Sequence, residues 1–256
     1  MAPPMSRWDL GLWIGSLAFA GMVKGVTGMG LPLFATPVLA GVFGARPAVV
    51  IISIPVFVTN LLLVYEGRRV LAAVLEMWLI ALAGAFGVVL GLLLLVRLDQ
   101  NLLALLIAGL VFTFLARGDR LVGTDPQATR LRWLGPLIGC ASGVLNGSTS
   151  IASPLLGGYL HARRVPAREF VASAAVVFQV FSIVQVVGLW RLGLYDRALL
   201  TTGLLSLAPA LLALVVGMRV RDRLNTAVFR RVITVLLGLS GINLLVQGLR
   251  GLGALP

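Results

Sequence analysis

Residues 21–30 read GMVKGVTGMG, and residues 139–150 read GCASGVLNGSTS. Each stretch interrupts an apolar run with glycine and small polar residues, and a short apolar segment lies on either side of it. Broken helices persist in a bilayer only where their loose backbone groups are buried in protein or line a cavity. The two stretches therefore predict a membrane protein with two enclosed helix breaks.

The composition of the whole chain also indicates a membrane protein. Of its 256 residues, 59% are hydrophobic and 12% are charged, with a mean hydropathy of +1.03, whereas about 25% charged residues is typical of soluble domains. A bilayer solvates such apolar surface directly. One cysteine and one histidine do not make a soft-metal site, so no cofactor is predicted. The arginines lie in short connections, so the net charge of +12 does not indicate a nucleic-acid partner.

Six apolar runs approach or exceed the length that spans a bilayer. They form two groups of three, and polar residues 117–132 separate the groups. We predict an all-α, polytopic inner-membrane protein with a first transmembrane repeat at 1–116, a cytoplasmic linker at 117–132 and a second repeat at 133–256. The six runs are 47–66, 71–96, 101–116, 166–190, 197–217 and 228–248.

A pair of shorter apolar segments around one of the breaks precedes each group of three. The segments are only about 10–15 residues long, a length typical of re-entrant or buried segments. If each pair returns to its starting face, each half crosses the membrane three times and the halves are inverted. The four short segments are 10–23, 31–44, 134–145 and 151–160.

Recurring glycines align the two halves. The GxxxG spacing at 21–25 recurs at 139–143, and the same spacing occurs at 87–91. This spacing predicts close helix packing and also permits a homodimer. The resulting register pairs Asn60 with Gln179 and Lys24 with Ser142.

The arginines test the predicted topology. With two re-entrant pairs, fourteen arginines fall on one face and six on the other. A single crossing by each pair would give ten on each face. The positive-inside rule therefore favours re-entry and places both termini on the periplasmic side.

The breaks have the chemistry of an anion site. Two half-helix N-termini, near residues 31 and 151, would present free N–H groups and positive dipole ends to one cavity. Lys24 adds a positive charge beside the first break, and intramembrane charges are usually functional. We therefore predict a small anionic substrate. The candidate binding residues are Lys24, Thr27, Gly28, Met29, Gly30, Asn60, Asn146, Gly147, Ser148, Thr149, Ser150 and Gln179.

Structural alternatives exist for each of these features. The breaks could be helix caps with packing glycines, and Lys24 could extend to an interface or pair with a glutamate. Asn60 and Gln179 could join helices by hydrogen bonds. Alternative functions are a carrier for another small anion or metabolite, and an intramembrane serine hydrolase built on Ser148 and His161. The acidic residues fall at helix ends or in loops, which disfavours a cation substrate.

The two breaks and the helices that follow them resemble the TauE/SafE (TSUP) family. The resemblance runs from residues 21–25 through Pro37-Val38-Leu39, and from 139–143 through Pro154-Leu155-Leu156. It extends over the helices at 47–66 and 166–190 and so covers nearly the whole chain. The resemblance implies a transporter rather than an enzyme, one that exports sulfite, organosulfonates or related sulfur oxyanions across the bacterial inner membrane.

Overall fold

The computed structural model describes residues 6–70, 77–117, 128–162 and 167–220, together with 242, 245–246 and 248–253. Every regular element within these ranges is helical. The chain is therefore an all-α, multi-pass membrane protein. Five segments of the described ranges are long and apolar enough to cross a membrane: Arg7–Thr27, Ala45–Glu66, Trp78–Arg97, Glu169–Arg191 and Arg197–Val220.

The helices follow one another through short connections. A 3₁₀ turn, Gly67–Val70, continues the third helix. The helices of the described ranges are α1 (Arg7–Thr27), α2 (Leu31–Phe43), α3 (Ala45–Glu66), α4 (Trp78–Arg97), α5 (Gln100–Arg117), α6 (Ala128–Thr149), α7 (Ser153–Ala162), α8 (Ala167–Arg191), α9 (Arg197–Leu205) and α10 (Leu207–Val220).

The long helices agree closely with the predicted apolar runs. Helices α3, α5 and α8 begin and end within two residues of their predicted bounds. Helix α4 begins at Trp78, and residues 71–76 of its predicted run lie outside the described residues. Most of the predicted run 228–248 and residues 118–127 of the predicted linker also lie outside them. Helix α6 begins at Ala128, within the predicted linker.

The prediction that all four segments around the breaks are short was wrong for the first segment of each pair. Helix α1 has 21 residues and α6 has 22, while α2 and α7 have 13 and 10. The predicted bounds followed the apolar residues alone, whereas α1 and α6 continue into the polar residues on either side. In α1 the extension is fixed by a capping box, in which the Ser6 hydroxyl accepts the N–H of Asp9 at 3.1 Å.

Each pair nevertheless forms a helical hairpin. In the second pair, Gly135 near the start of α6 lies against Tyr159 near the end of α7. Trp13 of α1 packs edge-on against Phe43 of α2, and Phe19 packs in the same way against Phe34, with ring centroids 6.1 and 5.9 Å apart. Residue numbers rise along α1 as they fall along α2, so the two helices are antiparallel. The chain therefore returns toward the side on which α1 begins, as predicted for this pair.

Helix α1 packs against α10 at backbone distance. A Cβ atom on Gly25 would overlap the carbonyl oxygen of Leu214, and a Cβ on Gly217 would overlap that of Met22. Only glycine leaves room for helices this close. The prediction that the GxxxG at 21–25 marks close helix packing is confirmed.

Helices α6 and α4 repeat this contact. A Cβ on Gly147 would overlap the carbonyl oxygen of Val88, and a Cβ on Gly91 would overlap that of Val144. Each half therefore packs its first helix against a helix of the other half. The two contacts therefore have the same geometry in opposite halves.

The predicted register of the repeat was wrong by one helical turn. The backbone contacts make Gly147, rather than Gly143, the equivalent of Gly25. Lys24 is then equivalent to Asn146 and not to Ser142. Glycines recur every four residues from 139 to 147, so the spacing alone allows two registers and the contacts decide between them.

The two halves run in opposite directions. Ser53 in α3 lies 2.6 Å, oxygen to oxygen, from the hydroxyl of Tyr195 just beyond α8, while Gly67 after α3 lies against Ala172 near the start of α8. Equivalent helices α3 and α8 are therefore antiparallel, which is the inverted arrangement that the segment count predicts.

The predicted run 197–217 is one span with a turn in it. Helices α9 and α10 are separated at Ser206, whose hydroxyl accepts the indole N–H of Trp13 at 2.9 Å. Pro209 has no N–H to donate to the carbonyl of Leu205. The missing hydrogen bond accounts for the turn.

We expect Gly147→Ala to destabilise the protein, because its methyl group would overlap the backbone of α4 and force the two helices apart. Overpacking of this kind costs about 1–3 kcal/mol. Thermal unfolding of the detergent-purified protein should show a lowered Tm.

Gly15→Ala is the matched control. Nothing lies within 4 Å of a Cβ at this position in α1, and alanine favours the helix over glycine by about 1 kcal/mol. An equal loss of Tm in both variants would contradict the packing assigned to Gly147.

Candidate functional site

The two helix breaks are built in the same way. The hydroxyl of Thr27 accepts the N–H of Met29 at 3.3 Å, and that of Thr149 accepts the N–H of Ile151 at 3.1 Å. Each threonine also donates to the carbonyl four residues before it. Thr27 and Thr149 therefore cap the ends of α1 and α6, and their hydroxyls are engaged in holding the breaks.

The residue after each threonine has a left-handed backbone. Gly28 has φ 81° and Ser150 has φ 62°. A residue with a side chain is uncommon in this conformation, which costs on the order of 1–3 kcal/mol. The hydroxyl of Ser150 accepts a hydrogen bond from Nε2 of Gln185 at 3.0 Å, so the side chain of Ser150 is engaged on α8.

Both breaks border one cavity, which has a volume of about 20 Å³. One water molecule needs roughly 10–15 Å³ on this scale. The walls must therefore move apart to admit a larger group. The lining residues are Lys24, Met29, Gly30, Pro32, Val56, Asn60, Asn146, Ser150, Ala152, Ser153 and Phe178.

Six of the twelve predicted site residues line this cavity, and the other six do not. The six that line it are Lys24, Met29, Gly30, Asn60, Asn146 and Ser150. The two capping threonines are among those that do not line it. Gly28 lies against α8 and Gly147 against α4. The Ser148 hydroxyl donates to a carbonyl of its own helix at 2.8 Å. Gln179 is buried in α8 away from the lining, with an unpaired Oε1.

Lys24 brings a positive charge to the cavity wall. Its side chain is 2% exposed, and Nζ donates to the hydroxyl of Thr59 at 2.9 Å and to Oδ1 of Asn60. An ammonium group has three N–H donors, so these two acceptors leave one donor for the cavity. Both acceptors are neutral, so Lys24 takes part in hydrogen bonds that leave its charge uncompensated.

The orientation of Asn60 is fixed from α8. Its Nδ2 donates to the hydroxyl of Ser182 at 2.8 Å, and that hydroxyl donates to the carbonyl of Phe178 at 2.7 Å. Since the Ser182 hydrogen is committed to Phe178, its oxygen can only accept. The amide nitrogen of Asn60 must therefore face Ser182, and its oxygen must face Lys24.

The second half places a neutral network at the equivalent position. Asn146 donates from Nδ2 to Oε1 of Gln185 at 3.1 Å, and Nε2 of Gln185 donates back to the carbonyl of Asn146 at 2.9 Å. Gln185 is fully buried. It was missed from the sequence, where Gln179 was selected as the counterpart of Asn60. In the register that the contacts give, that counterpart is Ser182.

Ser153, which begins α7, was also missed. Its side chain lines the cavity and is 7% exposed, and its hydroxyl has no hydrogen-bond partner. The first N–H groups of a helix have no intrahelical acceptor and carry partial positive charge. Ser153 therefore adds an unpaired hydroxyl to a helix N-terminus that borders the same cavity as Lys24.

Acidic side chains are absent from the cavity lining that the structure describes. Those in the described ranges lie at helix ends or between helices, as predicted. No group of three His, Cys, Asp or Glu residues in these ranges could hold a metal ion. The described acidic residues are Asp9, Glu66, Asp99, Glu169 and Asp196.

Comparison with known proteins identifies one family. The sequence model of the family described as "Sulfite exporter TauE/SafE" matches residues 13–244, nearly the whole chain. The comparisons with curated proteins and with solved structures returned no match.

We expect two Ser→Ala substitutions to differ in their effect on stability. Ser182→Ala removes the acceptor of the buried Asn60 amide and should cost about 1–3 kcal/mol, while Ser153→Ala removes a hydroxyl that is already unpaired and should cost nothing or stabilise the protein. Thermal unfolding without ligand measures both. A loss at Ser153 as large as that at Ser182 would contradict the network.

Proposed function

Because the chain belongs to the sulfite exporter TauE/SafE family, we propose that it exports sulfite, an organosulfonate or a related small sulfur oxyanion across the bacterial inner membrane. One observation carries the assignment of the site. The positive charge of Lys24 is buried among neutral partners at the cavity that both helix breaks border.

An oxyanion suits the donors around this cavity. The free N–H of Lys24, the unpaired hydroxyl of Ser153 and the N-termini of α2 and α7 are all donors or positive dipole ends. Hydrogen bonds to charged acceptors are shorter and stronger than those to neutral ones. A sulfur oxyanion supplies several such acceptors on one compact centre.

A neutral or cationic substrate fits these groups less well. It would leave the charge of Lys24 uncompensated in a lining that contains apolar Val56 and Phe178, and an unpaired buried charge is costly. The hydrolase alternative lacks an activated nucleophile. The Ser148 hydroxyl donates to the Val144 carbonyl instead of to a base.

The inverted halves supply a mechanism for transport. Hairpin α1–α2 lies in one half and hairpin α6–α7 in the other, and both border the cavity. Inverted repeats that enclose one site can open it alternately to either side by equivalent movements. We propose that the halves move against each other at the crossed contacts α1–α10 and α4–α6.

The topology proposed with this function places the arginine-rich side in the cytoplasm and both termini outside it. In a Cys140→Ala background, we expect a membrane-impermeant maleimide to label Arg197→Cys in intact cells and Arg68→Cys only after lysis. Both positions are exposed. Arg68 follows the C-terminal end of the span Ala45–Glu66, and Arg197 begins the span Arg197–Val220. The reverse labelling pattern would invert the topology.

We expect Lys24→Met to weaken sulfite binding by about tenfold to 100-fold, because one charge-assisted hydrogen bond contributes about 1.5–3 kcal/mol. Isothermal titration of the purified protein measures the affinity. Arg197→Gln is the control, because it removes an exposed positive charge away from the cavity and should leave binding unchanged. Equal binding by all three proteins would exclude Lys24 from the site.

A further inference from the structure

Lys24 and Asn146 occupy equivalent positions in the two halves. Each lies three residues before the threonine that caps its helix, and its carbonyl accepts the N–H of the left-handed residue four positions later, at 2.7 Å for Gly28 and 2.8 Å for Ser150. Both side chains line the same cavity. A cationic side chain could therefore stand at either of two equivalent positions, and in this chain it stands only at the first, as Lys24.

The second place is occupied by neutral groups that hydrogen-bond to one another. Asn146 and Gln185 exchange bonds, and the remaining N–H of Gln185 is donated to Ser150. None of these three groups carries a charge. The other cavity-lining side chains that the structure describes are also uncharged, apart from Lys24. The described lining therefore holds one positive charge.

We propose that the site accepts a single negative charge and that Asn146 is the specificity-determining residue that sets this limit. The inference rests on the proposed function, because it concerns the anion bound at that same cavity. A monoanion is neutralised by Lys24 on entering the cavity. A dianion brings a second charge that has no counter-charge in a poorly hydrated site, and such a charge is strongly disfavoured.

Methanesulfonate and sulfate form a suitable pair of probes. Both are compact and tetrahedral at sulfur, and at neutral pH the first carries one negative charge and the second carries two. Size and shape therefore contribute little to any difference between them. Sulfite is unsuitable for this comparison because it changes charge near neutral pH.

The first experiment compares the two probes on the wild-type protein by isothermal titration in detergent. We expect sulfate to bind at least about 100-fold more weakly than methanesulfonate, since an unpaired buried charge is costly enough to lower affinity by this much. Equal or tighter binding of sulfate would overturn the charge limit while leaving the proposed function intact. Failure of sulfite and of both probes to bind would overturn the proposed function itself.

The second experiment adds a charge at the equivalent position. Asn146→Lys should shift the ratio of sulfate to methanesulfonate affinity toward sulfate by at least about tenfold. Thr201→Lys adds the same charge at an exposed position on α9 and should leave the ratio unchanged. The same ratio in both variants would show that Asn146 does not set the limit.

A third experiment moves the lysine from position 24 to position 146, so that the cavity still holds one positive charge. It covers the case in which Asn146→Lys fails to fold because two lysines repel each other. Lys24→Asn should lose methanesulfonate binding, and Lys24→Asn combined with Asn146→Lys should regain it, because the single cation again faces the same cavity. Continued failure to bind methanesulfonate in a folded double variant would contradict the equivalence of the two positions.

Discussion

One buried positive charge constrains the centre of this protein. An ammonium group in an apolar interior requires acceptors, and Lys24 finds them in Thr59 and Asn60 of α3. The amide of Asn60 is oriented in turn by Ser182 of α8. The charge thus joins α1, α3 and α8 beside the first break. These directional hydrogen bonds fix the rotation of each helix about its own axis as well as its position. A purely apolar contact would not fix the rotation.

The crossed glycine contacts explain why two breaks form one cavity. Helix α1 approaches α10 through Gly25, and α6 approaches α4 through Gly147, so each broken helix is anchored on the opposite half. Anchoring across the halves brings both breaks to the antiparallel pair α3 and α8. The N-termini of α2 and α7 border the same cavity there.

The sequence was sufficient to place the breaks and Lys24, because glycine and polar residues interrupt an apolar run there, and to predict inverted halves, because each half has an odd number of crossings. It was insufficient where several interpretations share one pattern. Glycines at 139, 143 and 147 allow two registers, and the one chosen paired Lys24 with Ser142 instead of Asn146. The threonine caps could have decided the register, since Thr27 and Thr149 stand at the same place in each break. Ser153 gave no such signal, because only the surrounding fold leaves its hydroxyl unpaired.

The two halves share a backbone but differ in chemistry, and the difference follows from having one cavity. Two ammonium groups at the equivalent positions would face each other across a small, largely apolar space, and their repulsion would add to the cost of burying each. A single lysine opposite an amide avoids the repulsion and still supplies hydrogen-bonding groups on both sides. The threonine caps preserve the shape of each break, so Lys24 and Asn146 can differ in charge without a change in the fold.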